Sequence, residues 1–270
     1  MCLVAVALGC SARFPFVLAS NRDEFFHRAA APLAWWQPVP GATPILSGRD
    51  LSAGGTWLGI TASGRLALVT NVREPGRVLT GAPSRGELVP RWLQGDQAGT
   101  LQDMALVPRN GYNFLAADLR SGNNGLWFSN RPQPRQQVLP AGLHGVSNAA
   151  LDTPWPKLLR LKQRVGDALP HAQDLPALCS AAFTALADVQ PAPDAELPTT
   201  GVPLERERQL SPAFIRIEAE AGVYGTRCST LVVVERSAMG HTVHMTERRF
   251  SADGGVGGEA VFSFQLDSAA

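Results

Sequence analysis

In this 270-residue chain the residue with the most chemistry open to it is Cys2, directly behind the initiator methionine. Its side chain is small enough for Met1 to be removed, and the mature chain would then begin on one residue bearing a thiol and a free α-amine. An ordinary α-amine titrates near about 8 and a thiol near about 8.5, so modest tuning brings either into use at neutral pH. One group can then serve as nucleophile and the other as its base. Cysteine near a terminus is equally compatible with a buried, inert thiol, so its companions decide. The first companion is the block Asn21-Arg22-Asp23-Glu24. A carboxylate there could hold the α-amine, and a guanidinium could favour the thiolate by its charge. The competing reading is a solvated, salt-bridged turn.

Positioning these groups requires the chain to double back at once. Residues 2–8 and 14–20 are apolar runs separated by the turn-like Gly9-Cys10-Ser11-Ala12, and they read as a buried hairpin that returns the charged block to the side of residue 2. Short strands are expected over 57–60, 66–71, 113–118, 126–129, 229–235, 242–247 and 260–265, punctuated by Gly and Pro. A helix is expected over 84–94, where Ser84 and Glu87 have capping-box spacing ahead of Leu88, Val89, Trp92 and Leu93. Two more are expected over 155–169 and 175–189. The first carries Leu158, Leu159, Leu161 and Val165 against a basic face read as solvated. The Pro-rich stretch 191–212 reads as a long surface loop. Strands, then helices, then strands favour layered α+β packing in a single domain over 1–270.

Composition excludes several classes of function. A net charge of +1 with acids and bases interspersed offers no stripe to neutralise phosphates, so nucleic acid is not an expected partner. The opening MCLVAVALGC lacks the positive flank of a secretory leader, and no run approaches the roughly 18 apolar residues of a membrane span. A cytoplasmic location without stable membrane insertion is the expectation. Cys10, Cys179 and Cys228 are expected to form no disulfide. The five histidines form no metal pattern, since His241 and His244 on one strand face opposite sides. Trp35-Trp36 can wall a pocket or pack as core or lid.

Beyond the Asn-Arg-Asp-Glu-Phe-Phe segment, the chain contains Gly54-Gly55-Thr56-Trp57-Leu58-Gly59-Ile60, Thr70-Asn71, Ser84-Arg85-Gly86-Glu87-Leu88, Gly111-Tyr112-Asn113-Phe114, Ser147-Asn148-Ala149 with Thr153-Pro154-Trp155, and Tyr224-Gly225-Thr226-Arg227. In that order these strings resemble the NRDE-motif family, whose eukaryotic members are the transport and Golgi organisation 2 homologues. That family is similar in architecture to the cysteine N-terminal-nucleophile amidases, such as penicillin V acylase and bile salt hydrolase. The resemblance implies a four-layer αββα sandwich of the N-terminal-nucleophile hydrolase type, with Cys2 at one end of the central sheets. It further implies that Asp23 holds the α-amine, that Asn71 and Asn148 position substrate and stabilise an oxyanion, and that Arg227 matches a late arginine. One departure stands out. The amidases carry Arg-x-x-Asp after their second strand, and the superposition puts Ser20 in the arginine's place, leaving Arg22 as the local substitute. Strand alternation is expected to turn Arg22 away from Asp23, and with it away from Cys2, unless a bulge at Asn21 restores it.

Two functional readings follow. One is a cysteine amidase or acyl hydrolase acting through Cys2 on a small amide or ester, with no cofactor. The other, implied by what the family's eukaryotic members are linked to, is a non-catalytic carrier or sensor of haem, lipid or acyl-coenzyme A on the same fold.

Overall fold

The computed structural model describes residues 2–120 and 125–266. Two seven-stranded sheets form its centre. The first runs β10 (Gly142–Val146), β1 (Cys2–Leu8), β2 (Phe16–Phe25), β12 (Gly222–Ser237), β13 (Gly240–Phe250), β14 (Val256–Gln265), with β11 (Arg216–Ala219) paired to β12. The second is a meander in chain order: β3 (Ala30–Trp36), β4 (Ile45–Asp50), β5 (Leu58–Ile60), β6 (Arg65–Asn71), β7 (Tyr112–Asp118), β8 (Gly125–Ser129) and β9 (Arg135–Leu139). All pairings among the described residues are antiparallel.

The uninterrupted apolar string of β1 follows from burial on both faces. Val4, Val6 and Leu8 enter the cluster between the sheets, where they meet Leu46, Leu68 and Trp127. Leu3, Ala5 and Ala7 face α3 (Pro156–His171) and α4 (Leu175–Leu186). In α3 the buried Leu158, Leu161, Val165 and Leu169 recur at helical spacing, each burial contributing roughly 1.5–3 kcal/mol. On the outer face of the second sheet, α1 (Leu88–Leu93) and α2 (Gln97–Leu106) bury Leu88, Trp92 and Met104 against Val69, Phe114 and Phe128. The result is the four-layer αββα sandwich.

Several local expectations are corrected. The segment 84–94 opens as a 3₁₀ turn over Arg85–Glu87 before α1 begins. Its capping box does not close: Ser84 Oγ accepts from the Gly86 N–H, and Glu87 is drawn off to the buried Arg109. Within 191–212 the chain forms α5 (Leu204–Gln209), whose Glu207 is buried. β3 escapes sequence reading because Pro32 interrupts it. That proline is tolerated because β3 is an edge strand with a register shift between Ala31 and Ala34. On α3, Leu159 is exposed, and Lys157, read as part of a solvated face, is buried with its ammonium donating to the Leu210 carbonyl at 2.9 Å.

Candidate functional site

The site begins with pairing register. In the β1–β2 hairpin Cys2 lies opposite Arg22 and Leu3 opposite Asn21, so the charged block does return beside residue 2. On the other side of β2, Arg22 lies opposite Cys228, and Cys228 lies opposite Arg249 of β13. Residues directly opposite one another share a sheet face. Positions 2, 22, 228 and 249 therefore form one row across four strands. The Cys2 side chain itself, and the processing of Met1, lie outside the described residues.

Alternation separates Arg22 from Asp23 as expected, but it does not take Arg22 away from Cys2, because the register makes the two direct cross-strand neighbours. Pairing through Asn21 is regular, and the bulge falls on β12, between Thr226 and Cys228. Ser20, opposite Val4 and Thr230, is on the same face as Arg22 and one pleat deeper. The guanidinium sought at position 20 is thus carried two residues nearer the strand end, on the same face.

Arg22 is 5% exposed and its guanidinium lies 4.1 Å from the Trp57 ring centroid. Trp57 can lie there only because position 48 is glycine: a Cβ at Gly48 would come within 2.5 Å of the ring. Asp50, ending β4, receives Arg28 Nε at 2.8 Å and has Arg22 Nη2 at 3.6 Å. Burial pushes the Asp50 carboxyl up, but the hydrogen bonds from Arg28 and the Ala53 N–H, with the charges of Arg28 and Arg22, hold it below the usual carboxylate range.

Asp23 occupies the opposite environment. It is 1% exposed, and its Oδ1 accepts from Thr226 Oγ1 at 2.8 Å. Burial drives its carboxyl above the ordinary range, opposed in part by the charge of Lys157, the Thr226 hydrogen bond and the charge of Arg73. Arg73 pairs with Glu207 and stacks 4.8 Å over Trp155. The neighbouring letters of the motif are structural. Asn21 donates to the carbonyls of Leu186 and Ala213 and accepts from Ser229, tying β2 to the end of α4. Glu24 accepts from the Phe25 N–H.

These groups edge a cleft of about 110 Å³, with Arg22, Asp23 and Glu24 on one side and Asn71 at the end of β6 on another. Two further segments line it, Gly55-Thr56-Trp57 and Ser84-Arg85-Gly86. The Thr56 N–H donates to the Gly86 carbonyl at 3.1 Å, and a Cβ on Gly55 would sit 2.3 Å from that oxygen.

Of the residues expected at the site, Arg22, Asp23 and Asn71 share this cleft. Asn148 is directly behind: its Nδ2 donates to the Asn71 carbonyl at 2.9 Å, and its own carbonyl accepts from the Arg73 N–H. Arg227 is elsewhere. It is the extra residue of the β12 bulge, its Nη1 held by the carbonyls of Phe25 and Arg28, and it lines a separate cavity beyond Arg22 and Trp57. Sequence reasoning missed Arg28 and Asp50, since β4 gave no strand signal, and Lys157 and Arg73 on the Asp23 side. Trp35 packs edge-on against Phe264 and Trp36 donates to Ser47, so neither walls the cleft. Among the described residues no histidine lines the cleft, and no group of three or more His, Cys, Asp or Glu could hold a metal ion. No helix among them is long and apolar enough to cross a membrane.

Residues 1–252 match the family described as Transport and Golgi organisation 2. The Transport and Golgi organization 2 homolog of Mus musculus is 36% identical over 248 residues, covering 87% of this chain and 86% of that protein. The Homo sapiens homolog is 35% identical over 247 residues, with the same coverage of 87% and 86%. Among solved structures, a Caenorhabditis elegans ortholog of N-acylethanolamine-hydrolyzing acid amidase superposes with a TM-score of 0.49 at 12% identity, covering 86% of this chain and 92% of that one. A variant of the conjugated bile acid hydrolase from Clostridium perfringens gives 0.46 at 9% identity, covering 99% and 93%.

Proposed function

The chain belongs to the Transport and Golgi organisation 2 family, and on that premise we propose that it is an N-terminal-nucleophile-type cysteine hydrolase cleaving a small amide or ester through Cys2. With Met1 removed, the α-amine takes the thiol proton and the sulfur attacks the substrate carbonyl. The tetrahedral intermediate collapses to a thioester as the amine or alcohol departs with that proton. Water then cleaves the thioester, releasing the acid and restoring the thiol. Asp23 orients the α-ammonium. Arg22 favours thiolate and oxyanion by its charge, and Asn71 offers an amide to the substrate. No cofactor is needed, and the cytoplasm is the proposed location.

The observation that carries this reading is the hairpin register. It sets Cys2 opposite Arg22 and Asp23 one position further along β2, past the start of a processed chain, at the edge of the cleft that Asn71 also lines. The test is alkylation at pH 7 of protein whose intact mass demonstrates loss of Met1. Cys2 is expected to react about tenfold faster than the exposed Cys10, and Asp23→Asn to slow it. A Cys2 in processed protein that reacts no faster than Cys10 removes the nucleophile assignment.

A second reading, a non-catalytic carrier of haem, lipid or acyl-coenzyme A, draws support from two residues. The amide of Asn148 is engaged with Asn71, and Arg227 lies outside the cleft, so the cleft holds fewer of the implied site residues than the resemblance gives. On this reading haem or an acyl-coenzyme A saturates one site per chain, and Cys2→Ala barely weakens it.

A further inference from the structure

Behind the Arg22–Trp57 stack, between the sheets, is a second cavity of about 70 Å³ that shares those two residues with the cleft. Three arginines line it, Arg22, Arg227 and Arg249, with one acid, Glu247; Arg22 also has Asp50 at 3.6 Å on the cleft side. Glu247 is already occupied in part, its Oε1 accepting from the Leu33 N–H at 2.9 Å. Arg22 is 95% buried by its 5% exposure, and its Nη1 has no acceptor among the described residues. The same holds for the buried Nε of Arg227 and of Arg249. Burying such donors without an acceptor costs their full desolvation, and the surplus of positive charge adds mutual repulsion.

We propose that this inter-sheet cavity is a binding subsite for the carboxylate of a small organic acid. A carboxylate presents two coplanar oxygens, the complement of guanidinium N–H groups. It also supplies negative charge to a lining that holds three arginines and one acid, Glu247. The lining is not wholly polar: Ala31 and Phe250 leave room for a short alkyl or aryl portion. A polyphosphate does not fit a space of about 70 Å³. Because Arg22 borders both cavities, an acid held here lies next to the row that begins at Cys2. On the hydrolase reading, on which this one consequence rests, the substrate is an amide or ester that also carries a carboxylate.

The experiment is calorimetric titration of the purified chain with propionate, with propionamide as the neutral isostere and with inorganic phosphate. Propionate is expected to saturate one site per chain and to bind at least about tenfold more tightly than propionamide. Arg249→Gln is expected to weaken propionate by about tenfold or more, with Arg249→Lys recovering part of the loss. Ala31→Leu, which fills the cavity without touching a charge, is expected to abolish binding, and near-ultraviolet circular dichroism establishes that each variant is folded. Equal binding of propionate and propionamide, full affinity in folded Arg249→Gln, or tighter binding of phosphate overturns the proposal. Cys2→Ala should retain the site. Propionate binding without turnover of any carboxylated amide defeats the hydrolase reading alone, and turnover without propionate binding defeats the subsite alone.

Discussion

At the open end of β2 the side bearing Asp23 and the side bearing Arg22 both bury ionisable groups, and they balance them differently. Around Asp23 two acids, Asp23 and Glu207, stand with two bases, Lys157 and Arg73, all of them buried. Around Arg22 four arginines, Arg22, Arg28, Arg227 and Arg249, stand with two acids, Asp50 and Glu247. Orphan N–H groups alone do not distinguish the sides, since Arg73 Nε and Nη2 also lack acceptors. Charge does: among the described side chains the Asp23 side balances two acids with two bases, whereas the Arg22 side carries more arginines than acids. A balanced buried network fixes geometry, and an unbalanced one selects a ligand.

The largest expected effect tests the balanced side. Glu207→Ala strands the Arg73 guanidinium and should cost about 3–5 kcal/mol in urea denaturation, while Arg249→Ala, which relieves a surplus of like charge, should cost under about 1 kcal/mol. The opposite order would mean that the Arg22 side is the structural one.

A smaller effect comes from Glu247. Burial raises its carboxyl above the ordinary value of 4.5, opposed in part by the Leu33 N–H, the charge of Arg249, the Cys228 hydrogen bond and the charge of Arg22. A raised folded value means the native chain holds this proton more firmly than the unfolded one. The contribution to stability is full below the ordinary value and is lost as pH rises through the raised one. Glu247→Gln should therefore match the parent near pH 4 and exceed it by about 1 kcal/mol at pH 8, by thermal or urea denaturation at each pH. A difference that grows toward acid would reverse the assignment.

The smallest effect is the control. Arg208 makes a fork to Asp194 and a further contact to Glu205, all exposed. Arg208→Ala should leave the melting temperature unchanged within error, because solvent screens such pairs. A clear drop would show that ion-pair geometry, and not burial, governs this protein.

The hairpin was legible in sequence because residues 2–8 and 14–20 are apolar runs of similar length around a short turn, which fixes where Asn21 to Glu24 must return. Alternation alone separates Arg22 from Asp23. What it does not contain is the neighbour across a strand: Cys228 joins the row of Arg22 through a pairing more than 200 residues apart in sequence, and Arg249 joins it through Cys228. The strings of the resemblance pointed to both cleft walls, but not to Asn148 serving as a brace for Asn71, a role set by a single hydrogen bond. Lys157 was hidden because a basic residue on an amphipathic helix normally faces water. In this fold the segment preceding β11 covers the start of α3 and offers its ammonium the Leu210 carbonyl.

The Gly55 lining of the cleft has a consequence for how the protein can diversify. Gly55 and Gly86 meet backbone to backbone, with 2.3 Å between the Gly86 oxygen and the place a Cβ would occupy. At Gly55 a side chain cannot be added without parting the two segments. Gradual change of ligand preference is therefore channelled to the other lining positions, through β2, the end of β6, Arg28 and Asp50. A mutational library aimed at new specificity belongs on those positions, and one aimed at Gly55 would return mostly inactive or unfolded protein.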